Sequence, residues 1–138
     1  MDTKEFREIF GGMGVRIEEL DPFVYFHLND PLDRTVVYER SSEKLFYVSY
    51  LNSEEMRANP GDKEANVRGS SVEDIIEFMV EVLDSELKWF EELSNILFKG
   101  LHKNDNPVVL ANFENVLWLS EKIMKLKALQ RGRLCEVY

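Results

Sequence analysis

Few residues of this chain combine the types and spacing that chemistry at neutral pH requires. The chain contains two histidines, His27 and His102. Histidine is the usual general base and metal ligand near pH 7, but neither histidine has further ligands beside it at metal-binding spacing. His27 lies among aromatic residues of a predicted strand, and His102 lies near Asp105 in a predicted loop. The sequence therefore predicts no catalytic residue and no metal site.

Two other local patterns have structural explanations. Cys135 is the chain's one cysteine, so it can form no disulfide within the chain, and we interpret it as an inert thiol. Gly11, Gly12 and Gly14 resemble a phosphate-binding loop, but they precede a predicted strand instead of opening a helix. The sequence therefore predicts no cofactor.

Acidic residues recur at helical spacing between residues 71 and 99. This segment contains eight acidic and two basic residues, a net charge of −6. The spacing predicts a solvated helix face and not a catalytic pair, because catalytic carboxylates need a pKa raised by burial. Such a face can steer and bind a basic partner. Five of its residues are the candidate partner-binding residues: Glu73, Glu77, Glu81, Asp84 and Glu91.

Aromatic residues of the predicted strands form a second candidate surface. The strands carry large side chains on both faces, so helices that cover one face would leave rings such as Phe23 and Tyr25 on the other. Exposed aromatic patches and sheet edges mark interfaces. We therefore add Phe23 and Tyr25 to the candidate partner-binding residues, for a partner chain or for a homodimer.

The overall charge restricts the class of partner. The net charge is −9 and the pI is about 4.8, which disfavours direct binding to nucleic acid or to an anionic membrane. The chain has no uncharged apolar stretch long enough to span a membrane, and its N-terminus has no signal-peptide pattern. These features and the single cysteine predict a cytoplasmic protein. The charge favours another protein as its partner.

The first part of the chain, residues 1–51, is predicted to form a short helix and four strands. Gly11-Gly12 ends the helix, and Asp21-Pro22 and Asn29-Asp30-Pro31 mark turns. Short connections between the strands favour antiparallel hairpins. Residues 52–70 are polar and are predicted to be an irregular loop.

Two long helices are predicted to follow and to form a helical hairpin over residues 71–131. Ser70 or Ser71 caps the first helix, and Gly100 ends it; Gly132 ends the second. The first helix has one main apolar stripe: Val72, Ile75, Ile76, Met79, Leu83, Leu87, Phe90, Leu93 and Leu97. The second helix has a main stripe of Val109, Phe113, Val116, Leu117, Met124 and Ala128, which Leu119, Ile123 and Leu126 widen.

The predicted fold class is α+β: a short N-terminal helix, an antiparallel sheet of about four strands, and two long antiparallel helices packed on the sheet. We expect a single domain over residues 1–138. The favoured function is non-enzymatic protein binding, as a small acidic inhibitor or immunity-type protein that occupies a basic site on its partner.

Two alternatives stay open. The first is a dimeric assembly or chaperone-like module, which would present an apolar dimer surface. The second is a small-ligand-binding domain or enzyme with a pocket between sheet and helices, lined by His27, Tyr25 and Trp89.

Overall fold

The computed structural model describes residues 3–49, 66–68, 71–101 and 107–137. The elements, in chain order, are α1 (Thr3–Phe10), a 3-10 turn (Gly11–Met13), β1 (Arg16–Leu20), β2 (Phe23–His27), β3 (Arg34–Glu39), β4 (Lys44–Ser49), β5 (Asn66–Arg68), α2 (Val72–Leu101) and α3 (Pro107–Val137). This order confirms the predicted α+β class. The chain divides into two compact units, Met1–Phe78 and Met79–Tyr138, and the boundary falls within α2.

The first unit is built on an antiparallel sheet in the order β1-β2-β3-β4-β5, so each strand pairs with the next along the chain. β5 lies within the range that the sequence predicted as an irregular loop. The residues on either side of β5, 50–65 and 69–70, lie outside the described residues. The prediction of a single domain stays a prediction.

One sheet face packs against helices. Phe26 on β2 meets the rings of Phe6 and Phe10 on α1 edge to face, with ring centroids 5.1 and 5.5 Å apart. On the same face, Tyr47 of β4 lies 6.2 Å from the ring of Phe78 in α2. Aromatic pairs of this geometry add to the stabilisation from apolar burial, so they fix α1 and the start of α2 on the sheet.

The other sheet face, which we call the histidine face, is also buried. Tyr25, Val37 and Phe46 lie side by side in neighbouring strands and form a cluster with Val48. Phe23 packs against this cluster. Tyr25 and Phe26 lie on opposite faces of the sheet and both are fully buried, so each face contributes large side chains to the core.

The turn between β2 and β3 is held by Asp30. Its Oδ1 atom accepts a hydrogen bond from the backbone N–H of Arg34 at 2.6 Å, and its carbonyl accepts one from the N–H of Asp33 at 2.9 Å. Asn29 adopts a left-handed φ of 56°, which asparagine tolerates well. The predicted turn signal Asn29-Asp30-Pro31 is thus confirmed.

α2 begins with a capping box. Ser71 Oγ accepts a hydrogen bond from the N–H of Asp74 at 3.2 Å, and Asp74 Oδ2 accepts one from the N–H of Ser71 at 3.3 Å. This reciprocal arrangement satisfies N–H groups that a helix start leaves unpaired. The predicted cap at Ser71 is confirmed, and Val72, Ile75 and Ile76 are buried as their spacing predicted.

The second unit is a hairpin of the rest of α2 and of α3. Buried Asn112 on α3 donates hydrogen bonds to the carbonyl of Phe90, at 2.9 Å, and to Ser94 Oγ. Where burial is described, the buried apolar residues of α3 are Val109, Leu119, Ile123 and Leu126. Of the predicted main stripe, Phe113, Leu117 and Met124 are instead exposed. Val109 of the main stripe and the three residues predicted to widen it are buried, so the buried side of the helix is rotated away from the centre of the predicted main stripe.

α3 also ends later than predicted. It continues through Gly132 to Val137. A glycine within a helix costs only about 1 kcal/mol relative to alanine, and the helical hydrogen bonds on both sides of it outweigh that cost. The prediction that Gly132 ends the helix is wrong.

Candidate functional site

A shallow groove of about 450 Å³ runs along α2 in the second unit. It is lined by Glu81, Asp84, Ser85, Lys88, Trp89 and Glu92. We call it the acidic groove. At 3.6 residues per turn, spacings of three, four, seven and eight residues place these side chains on one side of the helix. One helix therefore positions the whole groove.

The groove is negatively charged. Its described lining contains three carboxylates and one cation. Lys88 Nζ lies 3.2 Å from Asp84 Oδ2 in a pair four residues apart, and both side chains are well exposed. An exposed pair of this kind contributes little stability, so a cation from a partner can compete with Lys88 for Asp84. Glu81 and Glu92 are exposed as well.

Trp89 forms one wall of the groove. Its side chain is 50% exposed, and its ring packs edge to face on the buried ring of Phe90, with centroids 4.8 Å apart. This contact restrains the indole while leaving part of it in solvent. From the sequence, Trp89 was predicted only to line a possible ligand pocket. The signal that was missed is its position eight residues after Glu81, which places both on one side of the helix.

An indole beside several carboxylates is suited to binding a basic side chain. A carboxylate accepts hydrogen bonds from a guanidinium or ammonium group, and the face of a tryptophan ring attracts the same cation. Two contacts between a cation and an aromatic ring occur among the described residues. Lys122 Nζ lies 5.1 Å from the ring centre of Trp118, and the Arg34 guanidinium lies 4.8 Å from that of Tyr47.

The structure distributes the predicted acidic residues unevenly. Glu81 and Asp84 lie in the acidic groove. Glu91 is exposed on α2 but does not line the groove, and Glu73 and Glu77 belong to the part of α2 in the first unit. The structure therefore brings two of the five together, and adds Glu92.

The two predicted aromatic contact residues belong to the histidine face of the sheet. Tyr25 is fully buried, and Phe23 is partly buried against the same cluster. A buried Tyr25 presents no surface to a partner. The expectation of an exposed aromatic face assumed that only one face of the sheet is covered, whereas both are.

His27 is the buried centre of a polar cluster on the histidine face. Its Nδ1 lies 3.1 Å from Thr35 Oγ1. Its Nε2 lies 2.9 Å from Glu18 Oε1, which is an ion-pair distance, although the angles of a hydrogen bond are not met. Arg16 donates a hydrogen bond of 2.6 Å to the same Glu18 oxygen. Because a carboxylate only accepts, we assign the neutral ring's proton to Nε2 and let the Thr35 hydroxyl donate to Nδ1.

Burial lowers the pKa of His27 below its ordinary value of 6.5, and the positive charge of Arg16 lowers this pKa further. Glu18 and Asp33 act in the opposite direction without reversing the shift. Hydroxyl, imidazole and carboxylate thus follow one another in the order used by nucleophilic catalysts. Thr35 and His27 are both buried, however, so no substrate reaches this hydroxyl in the described structure.

Among the described residues, no group of three or more His, Cys, Asp or Glu side chains is placed to hold a metal ion. No helix in the described ranges combines the length and the apolar character needed to cross a bilayer. His102 lies outside the described residues.

Comparisons of this chain with family models, curated proteins and solved structures found no match. The inference about function therefore rests on the geometry of the chain itself.

Proposed function

We propose that this chain is a non-enzymatic protein-binding module that binds a basic segment of a partner protein in its acidic groove. The observation that carries the proposal is the half-exposed Trp89 ring beside Glu81, Asp84 and Glu92. This is the concrete form of the acidic inhibitor predicted from the sequence.

The groove supplies two recognition elements at once. Its carboxylates attract an arginine or lysine over a distance, and this attraction raises the rate of association. The Trp89 indole then offers an apolar and cation-attracting surface at short range. Tryptophan is enriched among the residues that dominate binding energy at protein interfaces, so we expect Trp89 to contribute more affinity than any single carboxylate.

The charge of the whole chain supports the same partner. A net charge of −9 opposes approach to acidic proteins and favours approach to basic ones. A partner site that ordinarily receives nucleic acid has the required positive charge, and occupation of such a site would make this chain an inhibitor.

A pocket for a small ligand receives less support. Of the residues predicted to line it, His27 and Tyr25 are buried and packed on each other with ring centroids 6.4 Å apart. The enzyme alternative stays a prediction that no observation favours.

The test is quantitative capture of partners from a lysate of the source organism, followed by measurement of affinity for the purified partner. The variants are Trp89→Ala and the triple variant Glu81→Gln, Asp84→Asn, Glu92→Gln. We expect a basic partner whose affinity for the wild type falls as salt rises. We expect each variant to weaken binding at least about tenfold, as interface hot spots do.

The matched control is the double variant Glu114→Gln, Glu121→Gln. It removes two exposed carboxylates from α3, outside the groove, and we expect it to bind like the wild type. Thermal melts of all variants check that folding is unchanged. Retention of the partner by both groove variants, capture of an acidic partner, or capture of none would contradict the proposal.

A further inference from the structure

A second surface of the chain carries four large apolar side chains in solvent. Leu110, Phe113, Leu117 and Met124 all lie on α3, and Leu117 and Met124 are 63% and 67% exposed. We call these four residues the α3 stripe. Exposed apolar side chains that are contiguous, unlike scattered single ones, mark interaction surfaces.

The spacing of the α3 stripe is that of a helix-pairing seam. The intervals are three, four and seven residues, which is the pattern of alternating core positions in paired helices. At 100° per residue the stripe lies roughly 120° around the helix from the buried residues Val109, Leu119 and Ile123. α3 therefore has one apolar side that is buried and another that is exposed.

Ser120 occupies the one core position of this seam between Leu117 and Met124. Its hydroxyl already donates a hydrogen bond of 2.8 Å to the carbonyl of Val116. A buried hydroxyl is costly only when it lacks a partner. Burial of the seam would therefore leave no unpaired hydroxyl at this position.

Charges along α3 are separated into two halves. From residue 107 to 121 the charged residues are Glu114 and Glu121, and from 122 to 133 all five charged residues are basic. Lys125, Lys127 and Arg131 in the second half are exposed, as are both glutamates. The acidic half of one α3 is thus complementary to the basic half of another.

We propose that the α3 stripe is the interface with the α3 helix of a second copy of this chain, arranged antiparallel. A parallel pair would place each basic half beside the other basic half, and such like charges repel. An antiparallel pair places each basic half beside an acidic half. Residues 107–138 carry a net charge of +2 within a chain of −9, so this helix does not share the excess negative charge of the rest of the chain.

One register brings the central apolar residues of the stripe together and places a glutamate beside a lysine. When Phe113 lies opposite Met124 of the second copy, Leu117 lies opposite Ser120. Glu114 then comes beside Lys125 of the second copy on the same flank of the seam. The two-fold symmetry of a dimer forms each of these contacts twice.

The test is the mass of the full chain in solution, measured by sedimentation equilibrium over a range of protein concentrations. We expect a dimer of twice the 16.2 kDa monomer mass. Leu117→Glu places a charge in the centre of the seam, and we expect it to raise the dissociation constant at least about tenfold, because two buried leucines are lost per dimer. A wild type that is monomeric at every concentration would overturn the proposal.

The matched control is Ile96→Glu, because Ile96 on α2 is 66% exposed and lies outside the seam. We expect this variant to dimerise like the wild type. An unchanged dissociation constant in Leu117→Glu would also overturn the proposal, and so would an equal weakening of the dimer in Ile96→Glu.

A charge exchange tests the antiparallel register. Glu114→Lys alone and Lys125→Glu alone each place like charges side by side, so each should weaken the dimer, more strongly at low salt. The double variant restores two opposite-charge pairs, and we expect it to recover the wild-type dissociation constant. Additive weakening in the double variant would refute this register.

The proposal does not depend on the function proposed for the acidic groove. Trp89→Ala should leave the dimer unchanged, and Leu117→Glu should leave binding of a basic partner to the isolated monomer unchanged. Failure of either proposal is therefore distinguishable from failure of the other.

Discussion

The lowered pKa of His27 makes stability depend on pH in a defined window. In the unfolded chain this histidine takes up a proton near its ordinary pKa of 6.5, whereas the folded protein takes it up only at lower pH. Between these two values the unfolded state binds more protons than the folded state. The free energy of unfolding must therefore fall as pH falls below 6.5 and rise as pH rises toward it.

The number of protons limits the size of the effect. One proton bound to the unfolded state and absent from the folded state gives a slope of about 1.4 kcal/mol per pH unit at most. Most aspartates and glutamates titrate below this window. Measurements from pH 7.5 down to about 5.5 therefore report chiefly on histidine. We expect urea unfolding curves to lose stability over this range with a slope that does not exceed the one-proton limit.

The variant His27→Gln tests the assignment. Glutamine keeps a side-chain donor and acceptor near Glu18 and Thr35 but does not titrate, so we expect lower stability at pH 7.5 and a flat profile below it. His102→Gln is the control, and it should retain the slope that His27 produces. A slope unchanged in His27→Gln, or a wild type that gains stability as the pH falls to 5.5, would refute the reasoning.

Three further predictions concern stability at neutral pH and are measured by urea unfolding. Phe26→Ala should lower the free energy of unfolding by about 3–5 kcal/mol, because it truncates a buried aromatic side chain. A double-mutant cycle with Phe6→Leu should give a coupling energy of about 0.5–1.5 kcal/mol from the edge-to-face pair. A cycle without coupling would argue against that contact. Asn112→Ala should lower the free energy of unfolding by about 1–3 kcal/mol, because the side-chain hydrogen bond to the buried Phe90 carbonyl is lost. Asn112→Asp retains the size of the side chain but not the donor, so it should not restore stability. Gly132→Ala should stabilise the protein by about 0.5–1 kcal/mol, since an added Cβ meets nothing within 4 Å and the φ angle is not left-handed; a destabilised variant would show that the helix ends there after all.

The sequence was sufficient for α1, for β1 to β4, and for the start and the packing face of α2. Its apolar residues follow the helical period over several turns, and only one orientation of the helix buries them together. Ser71 and Asp74 lie at the spacing of a capping box, and Asn29-Asp30-Pro31 can only be a turn. These signals are local, so a single sequence contains them in full.

The neighbours of His27 could be predicted only from the pairing of the strands. The sequence places His27 on a strand, but the register of β2 with β1 and β3 decides that Glu18 and Thr35 flank its ring. A shift of one residue would send all these side chains to the opposite face of the sheet. The hydrophobic pattern of β2 cannot specify this register, because both of its faces are apolar.

For the acidic groove and the α3 stripe as well, the sequence predicts some features and the tertiary structure decides the others. The sequence by itself determined that α2 is acidic on one side and that α3 is apolar around much of its circumference. Only the tertiary structure decided that Trp89 stays half exposed beside the carboxylates, and that α3 buries Val109, Leu119 and Ile123 while leaving Leu117 and Met124 in solvent. The physical reason is that periodicity records which residues are apolar, whereas burial depends on which neighbour each side of the helix meets.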